Sequence, residues 1–228
     1  MRKGSRPKKK QTQNKILHAA VILFLEKGYQ TTTTAEISAK AGYTSTMFFN
    51  AFPDKESVLY ALVGFMLKGQ FSMAESILKE EQDTVLLYSV ETALQLHIVE
   101  ISEAIRDLYV TAYTLPTTSE YIYQGVTEKL QHIFKDYLPN CATKDFYELE
   151  IASGSITRGY MAKKCDIYFT IEHKITRFLS IVLQIYGVGE EKRKKVIQRV
   201  LQLDLHSMAE LLIEQTIQEA EAGFEIEC

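Results

Sequence analysis

Apolar residues recur at helical spacings along almost the whole chain. Ile16, Ala20, Leu23 and Phe24 fall three and four apart, which predicts a helix from about Lys10 to Gly28, whose freedom to turn left-handed suits a helix end. Ile37 and Ala41 form the inner face of a short second piece, which Thr33 or Thr34 can cap. Gly42 permits a sharp turn. Thr44 or Ser45 then caps a third helix with Phe48 and Phe52 on one face, and Pro53 stops it. Asp54 caps a fourth helix over 55–80. Next, Leu87, Val90, Leu94, Ile98, Ile101, Ile105 and Leu108 trace a stripe that predicts one helix over 84–113, broken by Pro116. Further helices are predicted from Thr118 or Ser119 towards Pro139, and over about 144–164 and 168–186. A last one follows Gly187-Val188-Gly189, over about 190–221. The pattern is that of an all-α chain of about nine helices.

The run TTTTAEISAKAGYTSTMFFNAFPDKES, residues 31–57, is the most informative part. A short helix, a glycine turn and a second short helix make a helix-turn-helix over about 33–52. In that motif the second helix enters the major groove and turns its first residues to the base edges. Thr44, Ser45 and Thr46 are small enough to let a helix approach closely, and they donate to phosphates or bases. The same residues are equally those of a cap leading into an ordinary core helix. The pattern divides the chain into an arm (1–9), a helix-turn-helix head (10–54) and a larger helical body (55–228).

Charge is distributed unevenly. Residues 1–70 hold 11 Lys/Arg against 4 Asp/Glu, and the remainder holds 15 against 25. A basic head on an acidic body points to an anionic partner for the head, or to a solvated basic tail. Lys8, Lys9 and Lys10 can lie along phosphates or reach a minor groove, or serve only as a solubilising tail. The three cysteines, Cys141, Cys165 and Cys228, are odd in number and lack metal-ligand spacing, which suggests a reducing compartment and a cytoplasmic protein. ILHAAVILFL after a basic start imitates a signal peptide, but His18 interrupts it, Glu26-Lys27 end it, and no cleavage site follows. No run approaches 18 uninterrupted apolar residues, so no membrane partner is expected. The five histidines are dispersed, and no nucleophile, metal or phosphate-loop motif is present. Neither catalysis, a metal nor a cofactor is therefore expected.

Residues 16–59, ILHAAVILFLEKGYQTTTTAEISAKAGYTSTMFFNAFPDKESVL, resemble the tetracycline-repressor (TetR) family of bacterial regulators. The shared order is an alanine-rich first helix, Gly28-Tyr29, threonines, Ile37, Ala41-Gly42, an aromatic pair, Phe52 and Lys55-Glu56. Past residue 70 only the helical layout agrees. The resemblance implies Thr33 and Thr34 on the phosphates and Ser45, Thr46, Met47 and Asn50 facing the groove. It also implies Lys55 holding a phosphate at the start of the fourth helix. Phe49 stands where the family usually has a tyrosine, which removes a hydroxyl contact to phosphate. Asn50 is the candidate base reader, since an amide pairs with adenine, or else a phosphate contact. Lys55 with the three arm lysines gives about eight cations per dimer, and a salt slope on the order of −7 at most.

One small head makes few contacts, so specific binding to double-stranded DNA calls for a homodimer on two half-sites. The last two predicted helices carry wide apolar faces in Phe178, Ile181, Ile185, Ile197, Leu201, Leu205, Met208 and Leu212. The family joins its last pair into a four-helix bundle with the mate, although these faces also suit a monomer core. The middle of the body is rich in tyrosine. The family encloses an inducer there, whose binding moves the fourth helix. Tyr88, Tyr109, Tyr113, Tyr123, Tyr147 and Tyr160, with His97 or Arg106, would suit a small apolar or aromatic effector. Arg158 suits either an anionic ligand or a surface ion pair. The expectation is a DNA-binding repressor released by such an effector; an adaptor docking its basic head on an acidic protein is the alternative.

Overall fold

A computed structural model describes residues 6–79 and 81–222, with no strand among them. The head comprises α1 (Arg6–Lys27), α2 (Thr34–Lys40) and α3 (Ser45–Ala51). The body continues with α4 (Lys55–Leu78), α5 (Thr84–Ile101), α6 (Glu103–Ala112), α7 (Pro116–Phe134) and α8 (Thr143–Ala162). It closes with α9 (Ile171–Ile185), α10 (Glu190–Val200) and α11 (Leu205–Ala222).

Three boundaries correct the sequence reading. The first helix begins at Arg6, not about Lys10, so residues 6–9 are helical and not a loose arm. Pro7 does not prevent this, because the first helical turn makes no use of the N–H that proline lacks. Residues 1–5 and the side chain of Lys8 lie outside the described residues, as does Cys228. The stripe over 84–113 covers two helices. Ser102 is extended (φ −155°, ψ 161°), ends α5, and accepts the Ile105 amide to cap α6. The segment 190–221 also divides: Asp204 accepts the Ser207 amide at 3.2 Å and starts α11. In both places the apolar spacing runs on through the break, and only the capping residue marks it. Among the described residues eleven helices result, not nine.

α5 is the central post. It packs on α4, α6, α7, α8, α9, α10 and α11, and Val90, Ala93, Leu94, Leu96, Ile98 and Val99 are fully buried on several of its sides. A helix apolar all round belongs in a core. The head closes around Ile16, Leu17, Phe24, Ile37 and Phe48, all without exposure. α4 is long and apolar enough to cross a membrane, but here Leu59, Leu62, Val63 and Ala74 bury it among its neighbours. The head meets the body through α1, which packs on α4, α6 and α11.

The α5–α6 corner is fastened by Glu100. Its Oε1 accepts the Lys174 ammonium at 2.6 Å, and its Oε2 accepts Arg106 at 3.1 Å and the Cys165 amide at 3.2 Å. Lys174 has no exposure at all, and its ammonium also donates to the Lys163 carbonyl.

Ser102→Ala removes the cap on which the corner turns. It is expected to cost about 1 kcal/mol and to lower the melting temperature by about 2–4 °C, measured by circular dichroism against the wild type.

Candidate nucleic-acid interface and buried polar core

In the head, Thr33 and Glu36 form a capping box at the start of α2. The Glu36 amide donates to Thr33 Oγ1 at 3.2 Å, and the Thr33 amide donates to Glu36 Oε2 at 2.8 Å. Lys27 also donates to Glu36, and this bond with those from Thr33 holds the Glu36 carboxyl down at about 2. Thr33 is therefore the cap, its hydroxyl engaged, and Thr34 is half-buried in the first turn. Gly42 (φ +73°) ends α2: its amide donates to Ala39, and that of Tyr43 reaches back to Ser38. This doubly bonded left-handed turn is one that a residue with a Cβ adopts only under strain.

Thr44 caps α3 by accepting the Met47 amide at 3.3 Å. Phe48 and Ala51 are buried, which orients the helix and leaves Ser45, Thr46, Met47, Phe49 and Asn50 exposed with Thr44. Phe49 is 53 % exposed, its ring edge-on to Phe48. The outer face of α3 carries no charge. The structure thus brings the residues expected at a groove together on one exposed surface.

Lys55 is placed differently. Its ammonium donates at 2.8 Å to the carbonyls of both Tyr29 and Thr32 and sits 4.0 Å over the Tyr29 ring. Burial holds its pKa below the ordinary lysine value. Two of its three donors are spent inside the head, so Lys55 is a strut between α4 and the α1–α2 loop and not a free cation. Lys9 and Lys10 remain exposed on α1.

The head is also tied to α6. The Gln30 amide donates to Asp107 Oδ2 at 2.8 Å and its side chain to Thr111 at 3.4 Å. Gly28, left-handed at φ +89°, lies so close to Asp107 that an added Cβ would come within 2.8 Å of the carboxylate.

In the body, the eight sequence-derived effector candidates do not form one set. Tyr88, Tyr109 and Tyr113 are buried and face one region. Arg106 is engaged with Glu100 and, at 3.7 Å, with Glu103, so it serves the α5–α6 corner. His97 lies near His206, and burial, then that neighbour, depresses its pKa to about 4. Tyr123 is half-buried on α7, Tyr147 donates to Glu120 at 2.8 Å, and Tyr160 packs on Phe178 and Phe169. Arg158 is exposed.

The buried tyrosines have partners that the sequence reading missed. Tyr113 donates to Gln95 Oε1 at 3.1 Å, and Gln95 Nε2 donates to Glu91 Oε1 at 2.5 Å. Tyr186 donates to Glu150 Oε2 at 3.0 Å, and Ser153 donates to the same oxygen at 2.6 Å. Tyr88 stands edge-on to Tyr186 and to Phe134, and these two stack at 4.3 Å. Burial raises Glu91 to about 8 and Glu150 to about 7. The one available signal was Glu91 and Gln95, a polar pair four apart inside an otherwise apolar helix. An apolar cavity of about 20 Å³, bounded by Leu62, Met66, Tyr109 and Leu212, lies between α1, α4, α6 and α11.

Among the dimer candidates, Phe178, Ile197, Leu205 and Leu212 are buried within the single chain and belong to its core. Ile181 and Leu201 are exposed, while Ile185 and Met208 are half-buried. Ile167 and Tyr168, between α8 and α9, are the most exposed large apolar residues among those described.

The two raised carboxyls have a consequence for stability. Unfolded, both ionise near the ordinary value; folded, they keep their protons to about 7 and about 8. The unfolded state then binds fewer protons, so stability falls as pH rises through this window. The depressed His97 opposes this only below its ordinary value of 6.5. Between pH 6.5 and 8 the melting temperature is therefore expected to fall by at least about 3 °C. Calorimetry of wild type and Glu91→Gln should show the fall reduced in the variant.

Residues 16–62 match the model for bacterial regulatory proteins of the tetR family. A transcriptional regulator of the helix-turn-helix type, YvkB of Bacillus subtilis, is 28% identical over 163 residues, covering 70% of this chain and 78% of the relative. The nucleoid occlusion factor SlmA of Aliivibrio fischeri is 31% identical over 91 residues, 40% of this chain and 45% of the relative. Among solved structures, RolR in complex with resorcinol superposes with a TM-score of 0.67 at 16% identity, covering 85% of this chain and 96% of RolR. RolR without ligand gives 0.59 at 15% identity, over 81% and 95%. The matched head, residues 16–62, is that of the bacterial tetR regulators, and the all-helical body shares the fold of RolR.

Proposed function

We propose that the chain is a homodimeric repressor that sets α3 of each head into the major groove of an inverted-repeat operator and leaves it when a small molecule binds the body. The observation that carries this reading is the outer face of α3. It is small and polar at Thr44, Ser45 and Thr46, uncharged throughout, and held outward by burial of Phe48 and Ala51. An acidic protein partner would find little to grip there, which favours DNA over an adaptor role. Asn50 reads a base, Ser45 and Thr46 contact bases or phosphate, and Lys8, Lys9 and Lys10 supply the electrostatic attraction. Ile181 and Leu201 offer apolar surface to the second copy.

Release runs through α6. One side of this helix holds Tyr109 and Tyr113 in the polar core, and another holds Asp107 and Thr111 against Gln30 of the head. A shift of α6 on effector binding therefore reaches the head directly, in addition to any movement of α4. The RolR complex holds resorcinol, and a small aromatic effector for this chain fits the same body plan. Residues of this kind bind and couple; no bond-making step is assigned to them.

Fluorescence anisotropy tests the reading, using DNA from upstream of the chain's own gene against scrambled DNA at two salt concentrations. A preference of about 10³ or more for the upstream DNA is expected. Asn50→Ala should change the ranking of operator variants at one position, by about 1–3 kcal/mol per affected base. Lys9→Ala with Lys10→Ala should weaken all sequences alike and reduce the salt slope. Equal binding to both DNAs, erased by salt, would overturn the operator assignment.

A further inference from the structure

Apart from the Glu100 corner with its Lys174 and Arg106, the body buries two carboxyls that have no basic partner among the described residues. Glu91 of α5 and Glu150 of α8 are 2% and 6% exposed, and among the described residues neither forms an ion pair with a lysine or arginine. Every element around them contributes: Tyr88 and Gln95 from α5, Tyr109 and Tyr113 from α6, Ser153 from α8, Tyr186 from α9 and Lys129 from α7. Lys129 is the one cation whose field reaches Glu91, and its ammonium lies over the Phe71 ring at 3.6 Å. Glu91 has a single hydrogen bond, from Gln95.

A second observation comes from Gln70 of α4, which is 2% exposed. Its Nε2 donates to Tyr109 at 2.8 Å, while its Oε1 is buried without a partner. Turning the amide round would satisfy the oxygen and strand the nitrogen, so one polar atom goes unanswered either way. Unpaired buried groups of this kind cost stability unless something binds them.

We infer that this cluster recognises an organic cation, an aromatic or alkyl ammonium or phosphonium, as the effector of the proposed release. The inference rests on that effector-responsive reading and adds the ligand's charge class. A neutral hydroxyl leaves the two carboxyls protonated, whereas a cation supplies the countercharge they need in order to ionise. In a dry site such charge-assisted contacts are strongest, and the rings of Tyr88, Tyr109, Tyr113 and Tyr186 lie near the carboxyls. The cavity beside Tyr109 holds about 20 Å³, enough for one water and far too small for such a ligand. Neither carboxyl lines that cavity, so a cation reaches them only as α6, which carries Tyr109 and Tyr113 and is bonded to Gln30, moves aside. Binding and release of the head become one event. The cation also displaces the carboxyl protons, so its uptake releases protons near neutral pH.

The test uses the full chain at pH 7 and three pairs, each a cation with a neutral compound of related shape. These are phenethylammonium with phenethyl alcohol, benzyltrimethylammonium with neopentylbenzene, and tetraphenylphosphonium with triphenylphosphine oxide, with resorcinol as a neutral phenol. Titration calorimetry in two buffers of different protonation enthalpy reads affinity and proton release together. At least one cation should bind about tenfold tighter than its neutral counterpart, with proton release. Glu91→Gln or Glu150→Gln should remove that preference and the proton release that accompanies it. The amides keep the side-chain shape without a charge to bury, and the wild-type comparison of cation with neutral depends on no variant. Binding by none of the cations overturns the inference, as does binding of resorcinol or the other neutrals as tight as that of the cations. Operator affinity without any probe is measured alongside. If it is retained while the cations fail, only the charge class is lost; if it is absent, the proposed function fails first.

Discussion

Glu100 receives Lys174 on one oxygen and Arg106 and the Cys165 amide on the other, and four segments take their positions from it. The end of α5, the start of α6, the α8–α9 loop and α9 all converge on this carboxylate. Burial alone would raise its pKa, but the Lys174 and Cys165 hydrogen bonds and the two cations overcome that and hold it ionised. Lys174 is wholly buried, so losing Glu100 would strand a charge in the core, an effect of about 3–5 kcal/mol. With the corner fixed, α6 can point Tyr109 and Tyr113 inward and Asp107 at the head.

Glu91 and Glu150 are the counterpart of that arrangement. Glu100 is ion-paired with two cations; among the described residues Glu91 and Glu150 are ion-paired with none. A fold assembled only for stability gains little from two carboxyls in its centre, since apolar residues of the same size would fill the space without burying polar groups. The compensated carboxylate sets the architecture, and the uncompensated pair gives the same core a chemical preference.

The head was legible because short helices depend on their caps, and caps are local. Thr33 with Glu36, Gly42, Thr44 and Asp54 each satisfy backbone groups within three residues, so spacing alone locates them. The breaks at Ser102 and at 201–204 were hidden because Ile101, Ile105 and Leu108, or Ile197, Leu201 and Leu205, keep a helical period across a change of direction. Periodicity reports which face is buried, not whether the axis continues. Lys55 was misplaced for another reason: its partners, the Tyr29 and Thr32 carbonyls, are 26 and 23 residues away, and backbone acceptors leave no trace in side-chain pattern. The polar core fell between these cases. Glu91 and Gln95 could be seen as a pair, but Glu150, Ser153 and Tyr186 join them only through packing of α8 and α9 on α5.

The uncharged face of α3 has a thermodynamic consequence. Met47 and Phe49 are the large side chains it exposes, and Lys55 is turned away into the head. Pressed into a groove, such a face removes methyl and aromatic surface from water, and thymine methyl groups are its natural counterparts. Burial of this kind carries a negative heat-capacity change. In the operator complex proposed above, the binding enthalpy would therefore grow more favourable on warming and the entropy less so. The head should hold its site over a broad range of temperature through apolar fit, with counterion release in a smaller part than a lysine-lined helix would require.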